Sequence, residues 1–148
     1  MTGKWKAAVL AALLSCAATA PVAAQDFPLV SGDFTEVSMI KIADGGEMDY
    51  ANYLADKWRK SQEFAKSKGW ITGYAVYSNF NSRPGEADLL LAVSFPSLPD
   101  AAEEEKRDAA YRAYMQRSDA QLVAESGDRA KYRTVLGSYL IRELKFRK

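Results

Sequence analysis

The sequence of 148 residues contains no histidine. Histidine is the side chain best suited to proton transfer near neutral pH, and it is the commonest metal ligand in proteins. Its absence excludes Ser-His-Asp and Cys-His catalysis, the usual kinds of zinc site and a haem iron bound through histidine. We therefore expect no metal and no cofactor, and any pocket in this protein works without histidine.

The N-terminal segment has the pattern of a secretion signal. Lys4 and Lys6 give a basic start, residues 7–20 form a run of small and apolar side chains, and residues 22–24 (VAA) supply a small-x-small cleavage site. The run is shorter than the ~20 apolar residues that cross a bilayer, so we expect no membrane span. The pattern predicts a signal peptide over residues 1–24 and a periplasmic or secreted protein.

The single cysteine, Cys16, leaves a second processing route open. Residues 13–16 (LLSC) resemble a bacterial lipobox, in which the cysteine is acylated and becomes the mature N-terminus. Cleavage after residue 24 starts the mature chain at Gln25 instead, and that chain has no cysteine for a disulfide or a thiolate nucleophile. A soluble exported protein and a lipoprotein anchored through Cys16 are both compatible with the sequence.

Neither basic nor acidic residues are in clear excess: the sequence has 20 lysine and arginine residues and 19 aspartate and glutamate residues. Loss of residues 1–24 removes Lys4 and Lys6 and leaves a net charge of −1, which is not the footprint of a nucleic-acid binder. The basic cluster at residues 142–148 is more typical of a solvated tail. We expect a short leader at residues 25–33 and one domain over residues 34–148.

Hydrophobic periodicity predicts six elements in this domain. In chain order they are a strand at 34–42, a helix between Asp49 and Gly69, strands at 70–80 and 87–95, a helix beginning at Asp100, and a strand at 133–146.

The two helices differ in how clearly the sequence marks their inner faces. The first has an apolar face at helical spacing, with Asp49 expected to cap its start and Gly69 its end. Its inner residues are expected to be Tyr50, Tyr53, Leu54, Trp58, Phe64 and Ala65. The second begins at Asp100, with Glu103 three residues later as in a capping box. Its inner residues are expected to be Ala102, Ala109, Ala110, Ala113 and Tyr114.

The order of elements predicts an α+β protein with the ferredoxin-like βαββαβ arrangement: an antiparallel sheet with both helices on one face. The strand at 87–95 (ADLLLAVSF) is apolar on both of its faces. Two helices can cover only one of these faces. A second copy of the chain, packed sheet against sheet, can cover the other, so we expect a homodimer.

Residues 49–77 (DYANYLADKWRKSQEFAKSKGWITGYAVY) resemble the first helix and second strand of dimeric α/β-barrel proteins, and in particular an exported, largely uncharacterised bacterial group among them. The segment 133–144 (RTVLGSYLIREL) resembles that group's last passage from helix to strand. The resemblance implies the fold and the dimer. The superfamily also includes cofactor-free monooxygenases of phenolic or quinone-like substrates and haem-binding enzymes, and the lack of histidine sets this chain apart from the latter. The matching residues are Asp49, Tyr53, Leu54, Trp58, Gly69, Tyr74 and Tyr77.

Strand alternation nominates five polar residues as ligand contacts. Glu36 and Ser38 share one face of the first strand, Tyr77 and Asn79 share one face of the second, and Arg142 lies on the last. Glu36 and Arg142 form either an ordinary cross-strand ion pair or an anchor for the polar group of a ligand. Tyr77 and Asn79 either hydrogen-bond the same ligand or lie at a wet edge of the sheet.

Three functions follow from these features. The first is an exported small-molecule-binding or accessory protein, with a small apolar or aromatic ligand in a histidine-free pocket. The second is a cofactor-free monooxygenase-type enzyme, and the third is a structural or interaction protein of the cell envelope.

Overall fold

The computed structural model describes residues 26–148, so the predicted signal peptide, Cys16 and the start at Gln25 lie outside the described residues. The chain forms an α+β structure with four strands and several helices. In chain order the elements are β1 (Leu29–Ile42), α1 (Glu47–Tyr53), a π-helical turn (Leu54–Trp58), α2 (Arg59–Ser67), β2 (Gly73–Ser78), β3 (Leu89–Phe95), α3 (Ala101–Met115), α4 (Asp119–Asp128), a 3-10 turn (Arg129–Lys131) and β4 (Arg133–Phe146).

The four strands form one sheet in the order β2-β3-β1-β4, and every neighbouring pair is antiparallel. This confirms the predicted α+β class and antiparallel sheet and is compatible with a ferredoxin-like arrangement. Ser38 of β1 lies opposite Leu91 of β3 on one side and Ser138 of β4 on the other. The register of the two central strands therefore fixes which residues share each face.

The sheet has two unlike faces. Ile40 and Leu91 project from one, which we call the helix-side face, and pack with Tyr50 of α1 in the buried core. Ile40 and Tyr50 are each only 2 % exposed. On the other, which we call the open face, the central Val37 and Ala92 are buried. Around them, Tyr77, Tyr139 and Ile141 are exposed, whereas the remaining neighbours on the open face are half-buried.

The ends of three strands differ from the predicted ones. β2 covers 73–78 of the predicted residues 70–80, and β3 covers 89–95 of the predicted residues 87–95. β4 spans the predicted residues 133–146, but β1 begins at Leu29, inside the segment expected to be a leader. Leu29 pairs with Phe146, and a bulge at Gly32 and Asp33 separates this pairing from the main ladder. The extension arises because β4 continues to Phe146 and its last residues offer backbone N–H and C=O groups with which the leader residues can pair.

The first helical segment runs without a break from Glu47 to Ser67 but changes its winding midway. The N–H of Arg59 donates to the carbonyl of Leu54, five residues earlier, as in a π-helix. The prediction that Asp49 caps the helix is wrong: Gly46 is the N-cap and makes no side-chain bond, while Asp49 lies in the first turn. Gly69, with φ of 71°, follows the helix end as predicted.

Helix α3 begins as predicted, since Asp100 Oδ1 accepts from the N–H of Glu103 at 2.9 Å. Of its predicted inner residues, Tyr114 packs inward, with its ring stacked on that of Phe64 at 4.1 Å between centroids. The prediction is wrong for Ala102, Ala109 and Ala113, which are exposed, and Ala110 is half-buried. Arg107, which was not predicted, makes a further contact, 5.5 Å from the ring centroid of Trp70.

Candidate functional site

A cleft of about 790 Å³ opens between the first helical segment and the helix-side face at the β2 edge of the sheet. The helix contributes small and apolar side chains to one wall, and β2 contributes alternate residues to the other. The apolar lining consists of Ile42, Ala51, Leu54, Ala55, Trp58, Val76 and Leu89. Volume and lining both fall in the range of small-molecule sites, which are about 300–1,000 Å³ and mostly apolar.

The π-helical turn shapes the helical wall of this cleft. Leu54, Ala55 and Trp58 all belong to it, and all three line the cleft. A π-turn widens the helix by one residue and so changes the direction of the side chains that follow it. Such turns are frequent at functional sites.

Polar groups gather at the end of the cleft near the start of α1. Lys41 Nζ and Asp88 Oδ1 form an ion pair at 2.7 Å, and the N–H of Ile42 donates to the other carboxylate oxygen at 2.8 Å. The bond from Lys41, and secondarily that from Ile42, lowers the pKa of Asp88 below its usual value. Asn79 donates from its side-chain amide to the carbonyl of Ala87 at 3.0 Å, and Ser78 lies beside it in the lining. Asp44 and Glu47 also belong to this end and are exposed.

Aromatic side chains form the opposite end. The rings of Trp58 and Tyr74 meet edge to face, with their centroids 5.4 Å apart and an angle of 84° between planes. The hydroxyl of Tyr74 donates to Glu63 Oε1, and this hydrogen bond raises the pKa of Tyr74. The ring contact with Trp58 and the hydrogen bond to Glu63 therefore hold Tyr74 in place. Tyr74 in turn supports the ring of Trp58 at this end of the cleft.

The structure divides the five predicted ligand residues between different places. Asn79 alone lines the cleft. Tyr77 lies on the open face, opposite Leu90 of β3. Glu36, Ser38 and Arg142 lie on the helix-side face of β1 and β4, outside the lining of the cleft.

Glu36 and Arg142 are not paired with each other in residues 26–148. The register places Glu36 opposite Leu140, and Arg142 opposite Phe34, so the two charged residues are offset along the ladder. The guanidinium of Arg142 stacks on Phe34 at 4.5 Å from the ring centroid and donates to the carbonyl of Gly32 at 3.3 Å. The β1 bulge at Gly32 turns that carbonyl towards Arg142 and gives the guanidinium a nearer partner than Glu36.

Sequence reasoning missed most of the cleft. Ala51 and Ala55 are four positions apart, so they lie on the same side of the helix as the large residues Leu54 and Trp58. Small side chains among large ones on the inner side of a helix leave space unfilled, and this pattern could have indicated the cleft. The ion pair of Lys41 and Asp88 joins residues 47 positions apart, so only the fold could bring it together.

Neither a protein-family model nor a curated protein nor a solved structure matches this chain.

Two further observations concern what the site can hold. Among residues 26–148, no three histidine, cysteine, aspartate or glutamate side chains lie close enough together to hold a metal ion. Within the same range, no helix combines the length and the apolar character needed to cross a membrane. The cleft offers apolar surface, hydrogen-bonding groups, the ion pair of Lys41 and Asp88, and the exposed charges of Asp44, Glu47 and Arg59.

Proposed function

We propose that this protein is an exported small-molecule-binding or accessory protein, and that its ligand is an apolar or aromatic molecule bound in the cleft between the first helical segment and β2. The observation that carries the proposal is the cleft itself: about 790 Å³, walled by apolar side chains and provided with polar groups at one end. Many ligand sites combine these features, because the apolar walls supply affinity and the few polar groups supply orientation.

We propose further that the protein is a homodimer with the dimeric α/β-barrel architecture, formed through the open face. Tyr77 and Ile141 on this face are 57 % and 50 % exposed, and they border a depression of about 410 Å³ over Ala75 and Ala92. Large and small residues on one surface allow two copies to interlock about a two-fold axis.

The size of the open face supports this dimer. β1 and β4 have 14 residues each, β3 has 7 and β2 has 6, so at ~3.3 Å per residue and ~4.8 Å between strands the face covers roughly 650 Å². A standard stable interface buries ~800 Å² on each partner. The open face is therefore close to the area that a stable dimer requires.

A cleft-filling variant tests the binding site. Ala51→Trp places an indole in the space that the ligand is proposed to occupy, and we expect at least a tenfold loss of affinity for the neutral apolar probe N-phenylnaphthylamine, measured by its fluorescence. Ala109→Trp makes the same change at an exposed position on α3, outside the cleft lining, and serves as the matched control. Equal probe binding by both variants removes the cleft from consideration.

Native mass spectrometry of the protein isolated from its own envelope complements this test. One spectrum reports the N-terminus, the oligomer mass and any retained small molecule. A chain starting at Gln25 supports the signal peptide, whereas an acylated Cys16 at the N-terminus supports the lipoprotein. Oxygen uptake with a quinol or a phenol separates the cofactor-free enzyme from a binding protein. A structural protein of the envelope should retain no small molecule in the mass spectrum and should consume no oxygen.

A further inference from the structure

The polar end of the cleft contains charges of both signs, and their arrangement bears on which ligand fits. Lys41 and Asp88 are half-buried and satisfy one another at 2.7 Å, so together they present no net charge. Lys41 still has two ammonium hydrogens to donate, because only one bond from its three is made to Asp88. An ammonium held in place by a carboxylate is a fixed hydrogen-bond donor at the end of an apolar cleft.

Acceptors lie beside this donor. The amide nitrogen of Asn79 donates to Ala87, which orients the side chain and leaves its carbonyl oxygen for another partner. Ser78, next to it in the cleft lining, has a hydroxyl that both donates and accepts. One end of the cleft thus offers both a donor and acceptors to a single small polar group.

The charges around the polar end do not favour a charged head group of either sign. Asp44 and Glu47 lie at the mouth and are exposed, so water screens both their repulsion of an anion and their attraction of a cation. Arg59, which follows Trp58 in the cleft lining, is exposed as well. A charged head loses its hydration on entry, and the half-buried charges that could repay this cost, Lys41 and Asp88, already compensate each other.

The apolar part of the cleft has a definite length. From Glu47 to Trp58 the helix rises ~16 Å, and from Ser78 to Tyr74 the strand spans ~13 Å, with the aromatic pair Trp58 and Tyr74 at the far end. An elongated apolar body of this length reaches from the polar end to the aromatic end.

We infer that the cleft binds an uncharged amphiphile, with a single hydroxyl or carbonyl head at Lys41, Ser78 and Asn79 and an elongated apolar body extending to Trp58. This inference rests on the proposed binding function and specifies the class of ligand. It predicts that the cleft discriminates between amphiphiles by their head groups, whereas a cleft that binds only through apolar contacts does not.

Three amphiphiles of equal chain length test the inference on the whole protein: decanol, decanoate and decylammonium, each displacing N-phenylnaphthylamine. We expect decanol to displace the probe at a concentration at least tenfold lower than either charged analogue. In the double variant Ser78→Ala/Asn79→Leu we expect the affinity for decanol to fall about fivefold to tenfold, as for one or two lost hydrogen bonds, and the advantage of decanol over the two charged analogues to shrink accordingly.

The possible results separate this inference from the proposed function. Tightest binding of decanoate, lost in Lys41→Met, assigns an anionic ligand and overturns the inference, and tightest binding of decylammonium does the same for a cationic one. Equal displacement by all three amphiphiles shows that the head group is not read, which also overturns it. Failure of the probe to bind, or its equal binding to Ala51→Trp, contradicts the proposed function itself.

Discussion

The two faces of the sheet are built from the same strands, yet the chain covers the middle of one face more fully than the other. On the helix-side face, Ile40 and Leu91 are buried against Tyr50 of the first helical segment. On the open face, Tyr77 and Ile141 remain about half exposed. The cover on the helix side does not reach β4, where Leu140 is 48 % exposed. The aromatic helical segment above β1 and β3 therefore makes the difference.

The comparison is tested most strongly by removing the same side chain from each face. Ile40→Ala should lower the free energy of unfolding by about 3–5 kcal/mol, because Ile40 is 2 % exposed in a packed core and leaves a cavity. Ile141→Ala, at 50 % exposure on the open face, should lower it by less than about 1 kcal/mol in the isolated monomer. Urea denaturation at low protein concentration measures both.

Protein concentration sharpens the same experiment. If a second copy covers the open face, the cost of Ile141→Ala grows as concentration rises, because dimerisation stabilises only the folded chain. The cost of Ile40→Ala should not depend on concentration. Equal costs for the two variants in dilute solution would show that the two faces are equally well packed, contrary to the comparison.

Strand and helix positions were largely predictable because they depend on local pattern. The branched and aromatic alternation of residues 133–146 predicted β4 to its ends. The inner face of α3 was not predictable in this way, since alanine is compatible with either side of a helix and Arg107 makes its contact with Trp70 through a long stem. The π-helical turn left no mark that distinguishes it from an α-helix in the sequence.

The candidate site was less predictable than the fold, because it depends on register. Alternation alone put Glu36 and Arg142 on the same side of their strands, and the structure agrees. Their separation along the ladder follows from the pairing of Glu36 with Leu140, which no local pattern specifies. Asn79 reached the cleft because β2 ends at Ser78, immediately before it.

A charge on the open face tests whether that face is completed by a second copy. Leu90 lies on it between Met39 and Tyr77. Leu90→Asp places two carboxylates in the proposed interface, one from each copy, and we expect the dissociation constant to rise at least a hundredfold. Sedimentation equilibrium measures this change. The exposed Leu98→Asp, in the loop before α3, is the matched control and should leave the dimer intact. A wild-type chain that is monomeric at micromolar concentration contradicts the dimer.

The last prediction concerns how pH changes the free energy of unfolding through Tyr50, which packs on the helix-side face. Burial raises the pKa of Tyr50 to about 12, from about 10 in the unfolded chain. Because the folded state holds this proton more tightly, the stabilisation is fully present below about pH 10 and is lost as the pH rises towards 12, by about 2–3 kcal/mol at ~1.4 kcal/mol per pKa unit. Tyr50→Phe has no proton to lose, so the difference in unfolding free energy between wild type and variant should shift by that amount across this window. Chemical denaturation at a series of alkaline pH values measures this difference, and parallel curves for wild type and Tyr50→Phe would show that Tyr50 is not held in a water-excluded core.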